Sequence, residues 1–272
     1  MKILTLSNQK GGVGKSAVST QLAHYLHRSG LKVIVVDLDH QQNTSRPLRA
    51  HASVATADFT SSAIFEDVAY RPLPAGDFVL VAGDDRLSML ERQCEAHNLF
   101  AGRFRSSLKT WDRFDVAIID TNPNPDIRYA SALISSDFVL APIQLNQEAI
   151  SAVGGLLGHP RYGITKIAAT LNPGLRFLGI LPNIVEPTPF QRGNLERIAE
   201  KYGSRLLSRR IEGRSIFGYI PKRSAIAEAQ AAGVFLPDLQ KTAAREAWRE
   251  VKPVFDMILE AMDLVPAVEA DA

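Results

Sequence analysis

A glycine-rich segment near the start of the chain combines two lysines with a serine. Residues 8–26 read NQKGGVGKSAVSTQLAHYL. Glycines let backbone N–H groups approach phosphate oxygens, and a helix that follows them presents the positive end of its dipole. The segment therefore predicts a phosphate-binding loop. Its candidate nucleotide-binding residues are Lys10, Gly11, Gly12, Val13, Gly14, Lys15, Ser16 and Ala17.

The loop departs from the strict P-loop pattern G-x-x-x-x-G-K-[ST], because Gln9 occupies the first glycine position. Lys15 is still placed to reach the β- and γ-phosphates, and the Ser16 hydroxyl is placed to ligate Mg²⁺. A purely structural turn is the alternative, and it leaves Lys15 without a partner. The side chain of Lys10 leaves from the opposite edge of the loop, either for a separate role or as a solvated loop charge.

Aspartates follow two further apolar runs. Asp37 and Asp39 end KVIVVDLD, and Asp120 ends FDVAIID. Phosphoryl transfer needs little covalent help from the protein, so one carboxylate that orients the attacking water suffices. The alternative for Asp120 is a strand-terminal residue that caps the next helix.

The elements that must position these residues alternate along the chain. Apolar runs without polar alternation predict strands buried on both faces of a parallel sheet, and amphipathic stretches between them predict helices. This rhythm predicts a doubly wound α/β fold with a mainly parallel sheet and right-handed crossovers. The predicted strands cover residues 2–7, 32–39, 78–83, 114–120, 137–143 and 176–184. The predicted helices cover residues 15–29, 84–98, 126–135, 146–157, 190–202, 224–232 and 239–262.

Ligands of such sheets bind beyond the carboxyl ends of the strands, where this sequence carries its glycine-rich loop and its aspartates. The chain of 272 residues suits one domain over 1–265, with a flexible tail at 266–272. A net charge of +2 limits any nucleic-acid surface to a local patch. The single Cys94 excludes an internal disulfide and a Cys-rich metal site, and a buried, inert thiol is expected.

Neither a signal peptide nor a membrane-spanning run is recognised, which predicts a cytoplasmic protein. The C-terminal stretch VFDMILEAMDLV is amphipathic but acidic, whereas a membrane-surface helix normally offers lysine and arginine. We therefore expect a packed final helix and no membrane partner.

The motifs KGGVGKS, VIVVDLDHQQNTS and VAIIDTNPNP together resemble the deviant Walker A ATPases of the ParA/MinD family. The resemblance covers about residues 1–260 and is greatest to the short ParA proteins that segregate plasmids and chromosomes. It implies ATP and Mg²⁺ as cofactors. It also implies that Lys10 crosses a homodimer interface to the nucleotide of the other protomer, the role that an arginine finger plays elsewhere.

The resemblance assigns the aspartates as well. It implies that Asp39 positions or activates the attacking water, that Asp37 lies near the Mg²⁺ shell, and that Asp120 is the Walker B residue that holds Mg²⁺ directly or through water. His40 and Asn122 stand where the family usually has prolines, which puts the geometry of both loops in question.

Two further residues match positions that frame the adenine ring in relatives. These are Asn183 in GILPN and Pro221 in YIPKR. An amide reads a base edge through its donor and acceptor, and a proline ring supplies an apolar wall. Adenine is therefore implied by the resemblance.

The stretch SRRIEGRSIFGYIPKRS, residues 208–224, carries five cations and one acid. Such a run interleaved with glycine and aromatic residues can bind duplex phosphates without reading bases, although a solvated surface is the plainer explanation. Lys222 matches a basic DNA-binding position of the family; another such position holds Thr188, with Arg192 as a possible substitute. The candidate DNA-binding residues are Arg192, Arg209, Arg210, Arg214, Lys222 and Arg223.

The resemblance implies a DNA partition ATPase associated with the nucleoid. Its ATP-bound sandwich dimer would bind double-stranded DNA non-specifically, and a centromere-binding ParB-type partner would stimulate slow hydrolysis and release. Two alternatives stay open: a MinD-like or other cargo-positioning ATPase on a different scaffold, and a metabolic P-loop ligase, which typically lacks the second lysine.

Overall fold

A seven-stranded parallel sheet forms the centre of the computed structural model, which describes residues 1–66 and 71–265. In this described part the strands lie in the order β3-β4-β2-β5-β1-β6-β7, with helices on both faces, which confirms the predicted α/β fold. The strands are β1 (Lys2–Leu6), β2 (Val33–Asp37), β3 (Ala55–Thr60), β4 (Phe78–Ala82), β5 (Val116–Asp120), β6 (Phe138–Ile143) and β7 (Arg176–Pro182).

The helices and the shorter elements surround this sheet. The helices are α1 (Lys15–Arg28), α2 (Ser45–Ala50), α3 (Ser61–Glu66), α4 (His97–Thr110), α5 (Ile127–Ser135), α6 (Ala149–Gly158), α7 (Ile164–Thr170), α8 (Pro189–Tyr202), α9 (Ser224–Ala232) and α10 (Thr242–Ala261). The 3₁₀ segments are Asp85–Arg92, Cys94–Ala96, Gly203–Arg205 and Leu236–Asp238. A separate antiparallel pair consists of β8 (Ser208–Ile211) and β9 (Arg214–Phe217).

Both faces of the central strands are buried, which explains their unbroken apolar sequences. In β2, Val33 and Val35 face the cluster that includes Leu22 of α1, while Ile34 and Val36 face the cluster that includes Phe104 of α4. Successive side chains of a strand point to opposite faces, so a strand covered on both sides has no polar positions. The parallel sheet was therefore readable from the sequence.

The predicted helix over 84–98 is wrong in its type and extent. The structure forms 3₁₀ segments there, and the α-helix begins at His97 and runs to Thr110. Asp84 accepts a hydrogen bond from the backbone N–H of Arg86 and so caps the first 3₁₀ segment. The apolar stripe that specifies a full helix lies later, at Phe100, Phe104 and Leu108, where the spacing of four residues buries one face.

Two strand regions were not predicted. β3 lies at the sheet edge and buries only alternate residues, Ala57 and Phe59, so it lacks the continuous apolar run of the inner strands. β8 and β9 form an exposed hairpin whose turn places Glu212 and Gly213 at φ +48° and +80°. A turn with two positive φ angles matches the right-handed twist of a hairpin.

The C-terminal region packs as predicted. α10 lies against α1, with the rings of Tyr25 and Trp248 5.4 Å apart. Cys94 is exposed, so the expectation of a buried thiol is wrong. The predicted flexible tail at 266–272 lies outside the described residues. Within residues 1–66 and 71–265 no helix has the length and apolar character needed to cross a bilayer.

Candidate nucleotide-binding site

The phosphate-binding loop connects β1 to α1, and its shape depends on glycine. Gly12 and Gly14 have φ angles of +76° and +83°, in the left-handed region that favours glycine. A Cβ atom at Gly14 would lie 2.3 Å from Nδ2 of Asn183. A side chain at this position would therefore strain the backbone and displace Asn183.

Lys15 lies at the first turn of α1 and is buried, with 7% of its surface exposed. Its Nζ donates to the carbonyl oxygen of Lys10 over 3.2 Å. Burial lowers the pKa of Lys15, and the nearby Asp120 and Asp39 carboxylates oppose that shift. A buried ammonium group with a single carbonyl acceptor has donors to spare, which suits an incoming phosphate.

Lys10 points elsewhere. Its Nζ pairs with the carboxylate of Glu148 at the start of α6, and the two side chains are 34% and 74% exposed. Its backbone N–H donates to Oδ1 of Asn8 over 2.9 Å, which fixes the loop while the side chain stays at the surface. The two lysines of the loop thus occupy opposite environments, one buried among carboxylates and one at the protein surface.

Asp120 is fully buried and accepts hydrogen bonds from three hydroxyl groups. Oδ2 accepts from Ser16 Oγ and Thr44 Oγ1, each over 2.7 Å, and Oδ1 accepts from Ser19 Oγ over 3.1 Å. The carboxylate joins the phosphate loop, α1 and the segment after β2. Asp126, not Asp120, caps α5, because its carboxylate accepts from the backbone N–H groups of that helix.

Asp37 lies beside Asp120, since the two residues are register partners in neighbouring strands. Its carboxylate accepts from the Asp39 N–H over 2.9 Å and from the Ser45 hydroxyl over 2.6 Å. Burial and the Asp120 charge raise the pKa of Asp37 to about 7, and burial also raises the pKa of Asp120.

Two adjacent buried carboxylates and the Ser16 hydroxyl form a set of hard oxygen donors. Mg²⁺ prefers such donors, usually one or two carboxylates completed by waters and phosphate oxygens. Burial raises the pKa of both carboxylates, so a cation bound between them would stabilise their ionised forms. The residues predicted for Mg²⁺, which are Ser16, Asp37 and Asp120, therefore fit that ion.

Asp39 is 5% exposed and closes a tight turn after β2. Its Oδ1 accepts from the Gln41 N–H over 3.0 Å and lies 3.4 Å from Nδ1 of His40. Gly83, at the end of β4, packs so closely that a Cβ atom there would lie 2.6 Å from the Asp39 carbonyl oxygen. Contact with the end of β4 thus fixes the backbone of this turn, although the family's usual proline is missing.

Hydrogen bonds fix the loop after Asp120, where Asn122 stands in place of the family's usual proline. Asn122 is buried and its Nδ2 donates to Oδ2 of Asp126 over 2.9 Å. The Asp126 carboxylate in turn pairs with the guanidinium of Arg128, whose Nε lies 3.0 Å away. Arg128 is 3% exposed and its Nη1 lies 3.5 Å from the Leu38 carbonyl oxygen, which connects this loop to the end of β2.

Asn183 and Pro221 meet at one cavity of about 320 Å³ next to the phosphate loop. A bridge between Val185 and Pro221 brings the two chain segments together, and Nδ2 of Asn183 donates to the Val13 carbonyl oxygen over 2.8 Å. The flat ring face of a nucleobase fits this mostly apolar space. Its walls include Ala17, Val18, Ile226, Leu236, Trp248, Val251 and Phe255.

Half of the predicted DNA-binding cations are engaged by acids of the same chain. Lys222 pairs with Glu186, Arg223 pairs with Glu250 through two hydrogen bonds of 2.7 and 2.6 Å, and Arg209 lies 3.4 Å from Glu260. The other three candidates are exposed, and within the described part of the chain no acid pairs with them. These three are Arg192, Arg210 and Arg214.

Several residues of the site were not predicted from the sequence. Ser19, Thr44 and Ser45 hold the two carboxylates, and hydroxyl residues shortly after the motifs were their only signal. Gly83 is the last residue of the predicted strand 78–83, and a glycine at that place indicates a close approach of backbone. The Arg128 partner lies two residues away at Asp126, but nothing in the sequence shows that both are buried.

Comparison with known proteins supports the interpretation of these motifs. Residues 1–177 match the family model described as AAA domain. Protein IncC of Escherichia coli is 31% identical over 97% of this chain and 71% of its own length. The chromosome-partitioning ATPase Soj of Thermus thermophilus is 28% identical over 85% of each chain.

A solved structure gives the same fold over the whole length. The ATP complex of a Cyanothece McdA variant superposes with a TM-score of 0.77 at 19% identity and covers 99% of both chains. Its identity is low, so this similarity concerns the fold alone. The family model and the similarity to IncC, together with the loop and carboxylates described above, show that the chain belongs to the ParA/MinD-type P-loop ATPases.

Proposed function

We propose that this chain is an ATP-dependent DNA partition ATPase whose two nucleotide sites are completed only in a dimer. The observation that carries the proposal is the divergence of the two loop lysines. Lys15 is buried beside Asp120 and Asp39, whereas Lys10 leaves the loop at the surface and pairs with Glu148. A surface lysine within a phosphate loop is accessible to a second copy of the chain.

Each predicted site residue has a place in this proposal. The loop residues 10–17 would cradle the phosphates, Asn183 and Pro221 would enclose adenine, and Lys15 would hold the β- and γ-phosphates. Ser16, Asp37 and Asp120 would hold Mg²⁺, which when bound supplies positive charge against the phosphate oxygens. Asp39 would orient the attacking water, and Lys10 of the partner subunit would stabilise the charge that develops on the transferred group.

ATP binding would then act as a switch. Contacts to the γ-phosphate favour the dimer and are lost on hydrolysis, so the nucleotide state controls what the dimer binds. We propose that the ATP dimer binds nucleoid DNA non-specifically and that a centromere-binding ParB-type partner stimulates its slow hydrolysis. The name of Soj, a chromosome-partitioning ATPase, supports a role in partition.

The test is a shift assay with random-sequence duplex DNA in the presence of ATP, ADP or no nucleotide, each with Mg²⁺. We expect a shift with ATP that is weak or missing in the other two conditions. Equal shifts in all three conditions would contradict the switch, and no shift with ATP would contradict DNA as the scaffold.

A second candidate is a cargo-positioning ATPase that acts on a scaffold other than DNA. One observation favours it: Lys222, Arg223 and Arg209 are already neutralised by Glu186, Glu250 and Glu260. Under this alternative ATP still drives dimerisation, but the shift assay shows no retention of DNA. The assay therefore separates the two functions.

A further inference from the structure

A groove on α10 carries a second group of cations, outside the basic stretch 208–224. It encloses about 580 Å³ between α10, the end of α1 and the 3₁₀ segment Leu236–Asp238. Its floor and rim include Trp248, Pro237 and Pro253. The charged residues that line it are Arg28, Asp238, Arg245, Arg249, Lys252 and Asp256.

The groove has an excess of positive charge. Arg28 pairs with Asp238 over 2.6 Å, and Lys252 pairs with Asp256 over 3.2 Å. Arg245 and Arg249 are exposed, and among residues 1–66 and 71–265 no acid forms an ion pair with either. Four cations against two acids leave two positive charges for a ligand.

The groove cations of α10 share one face of the helix, whereas two of its acids are engaged elsewhere. Arg245, Arg249 and Lys252, spaced at i, i+4 and i+7, line the groove. Glu250 and Glu260 bind Arg223 and Arg209 of the basic stretch. Arg245 and Arg249 are like charges one turn apart, which destabilise a helix, so an external anion would relieve their repulsion.

We propose that this groove binds the phosphate backbone of duplex DNA, as an additional part of the DNA-binding surface. The inference rests on the proposed function, because it assumes that DNA is the scaffold. The seven steps from residue 245 to residue 252 rise about 10 Å along the helix, which matches about three phosphates of a strand spaced 3.4 Å along the duplex axis. Guanidinium groups also present a planar pair of donors that fits phosphate oxygens.

The experiment measures the affinity of the full chain with ATP and Mg²⁺ for a fluorescent random-sequence duplex, over a salt series. The test variant is Arg245→Ala/Arg249→Ala. The matched control is Arg105→Ala/Lys109→Ala, which removes two exposed cations at the same spacing from α4. Each phosphate contact contributes about 0.9 to the slope of log affinity against log salt, so the test variant should lose about 1.8 from the slope.

Between about 50 and 200 mM salt the wild type and the control should therefore lose about tenfold more affinity than the test variant. The variant Arg245→Lys/Arg249→Lys keeps both charges and should keep the wild-type slope, which separates lost charge from damage to α10. An Ala variant that matches the wild type in affinity and slope would overturn the inference.

Two other outcomes also decide it. If the Ala variant keeps DNA binding but loses binding to a poly-glutamate peptide, the groove fits an acidic protein segment and the inference is wrong. If the wild type with ATP binds no DNA, the proposed function fails and the inference falls with it. DNA binding that is kept by this variant but lost in Arg210→Ala/Arg214→Ala overturns the inference alone.

Discussion

Most of the charged side chains at the nucleotide end of the sheet are buried, whereas those of the basic stretch 208–224 are partly or fully exposed. At the nucleotide end Asp37, Asp120 and Lys15 are buried, and each has hydrogen-bond partners from the loops around it. In the basic stretch the cations are partly or fully exposed, and acids distant in sequence, such as Glu186, engage half of the predicted set. A buried charge is costly unless the fold provides for it, whereas an exposed ion pair contributes little.

This difference determines which charged residues can be assigned a role from the sequence alone. A charged residue at the end of an apolar strand must have a partner or a ligand, so its type and place indicate chemistry. An exposed arginine carries no such requirement, and its partner is set by tertiary contacts. The nucleotide end should therefore respond strongly to single substitutions, and the basic surfaces should respond weakly and in proportion to the charge removed.

The largest effect is expected for Lys15→Ala. Removing the buried ammonium takes away the charge-assisted hydrogen bonds to the phosphates and leaves Asp120 and Asp39 to repel them. ATP affinity should fall at least about a hundredfold. Titration with a fluorescent ATP analogue measures this, with the exposed Lys109→Ala as the control. Affinity within threefold of the wild type would contradict the assignment.

Asp39→Ala should slow hydrolysis while nucleotide binding persists. The carboxylate is proposed to orient water, and a positioned acid or base contributes about a hundredfold or more to a rate. Phosphate release under single-turnover conditions should slow by about that factor, and ATP-bound dimers should accumulate on a sizing column. Unchanged turnover would refute the role given to Asp39.

The paired carboxylates should make stability depend on pH. The pKa of Asp37 is about 7 in the folded chain, against an ordinary value of 3.8, so above pH 4 the folded state binds more protons than the unfolded state. The free energy of unfolding should therefore fall as pH rises from 5 to 8, by on the order of 2 kcal/mol relative to Asp37→Asn. Urea unfolding without Mg²⁺ or nucleotide measures it, and parallel curves for the two proteins would contradict it.

In the basic stretch a substitution is expected to strengthen binding rather than weaken it. Glu186→Gln/Glu250→Gln should release Lys222 and Arg223 for phosphate and so strengthen DNA binding by up to about tenfold at low salt, with a steeper salt dependence. Glu228→Gln is the control, because its partner Lys241 lies outside the predicted DNA-binding set. Unchanged or weaker binding would mean that these pairs stay intact on DNA or that the stretch does not face it.

The smallest effect is expected for Glu148→Gln. Glu148 holds Lys10 at the surface of its own subunit, and an exposed ion pair of this kind contributes little. Without it Lys10 is free to reach a partner, so the ATP concentration needed for half-maximal dimerisation should fall a few-fold. Light scattering over an ATP series measures this. A higher requirement for ATP would show that Glu148 supports the dimer instead.

Much of the fold was predictable because inner strands covered on both faces must be apolar. β3 and the β8–β9 hairpin were missed because an edge strand and an exposed ribbon carry no such signature. The phosphate loop and the aspartates were predictable because their types are dictated by chemistry. The roles of Ser45, Gly83 and Arg128 were not predictable. They arise from contacts between segments that become neighbours only in the folded sheet, and the sequence does not show the order of the strands.

The central claim is that one chain supplies Lys10 to the nucleotide held by the other. Mixing Lys10→Ala with Asp39→Ala tests it directly. In a mixed dimer the Lys10→Ala subunit keeps its own Asp39 and receives Lys10 from its partner, so one site is complete. Hydrolysis by the mixture should rise well above that of either variant alone, towards half the wild-type rate in the mixed dimers. A mixture no more active than the sum of its separate components would contradict it.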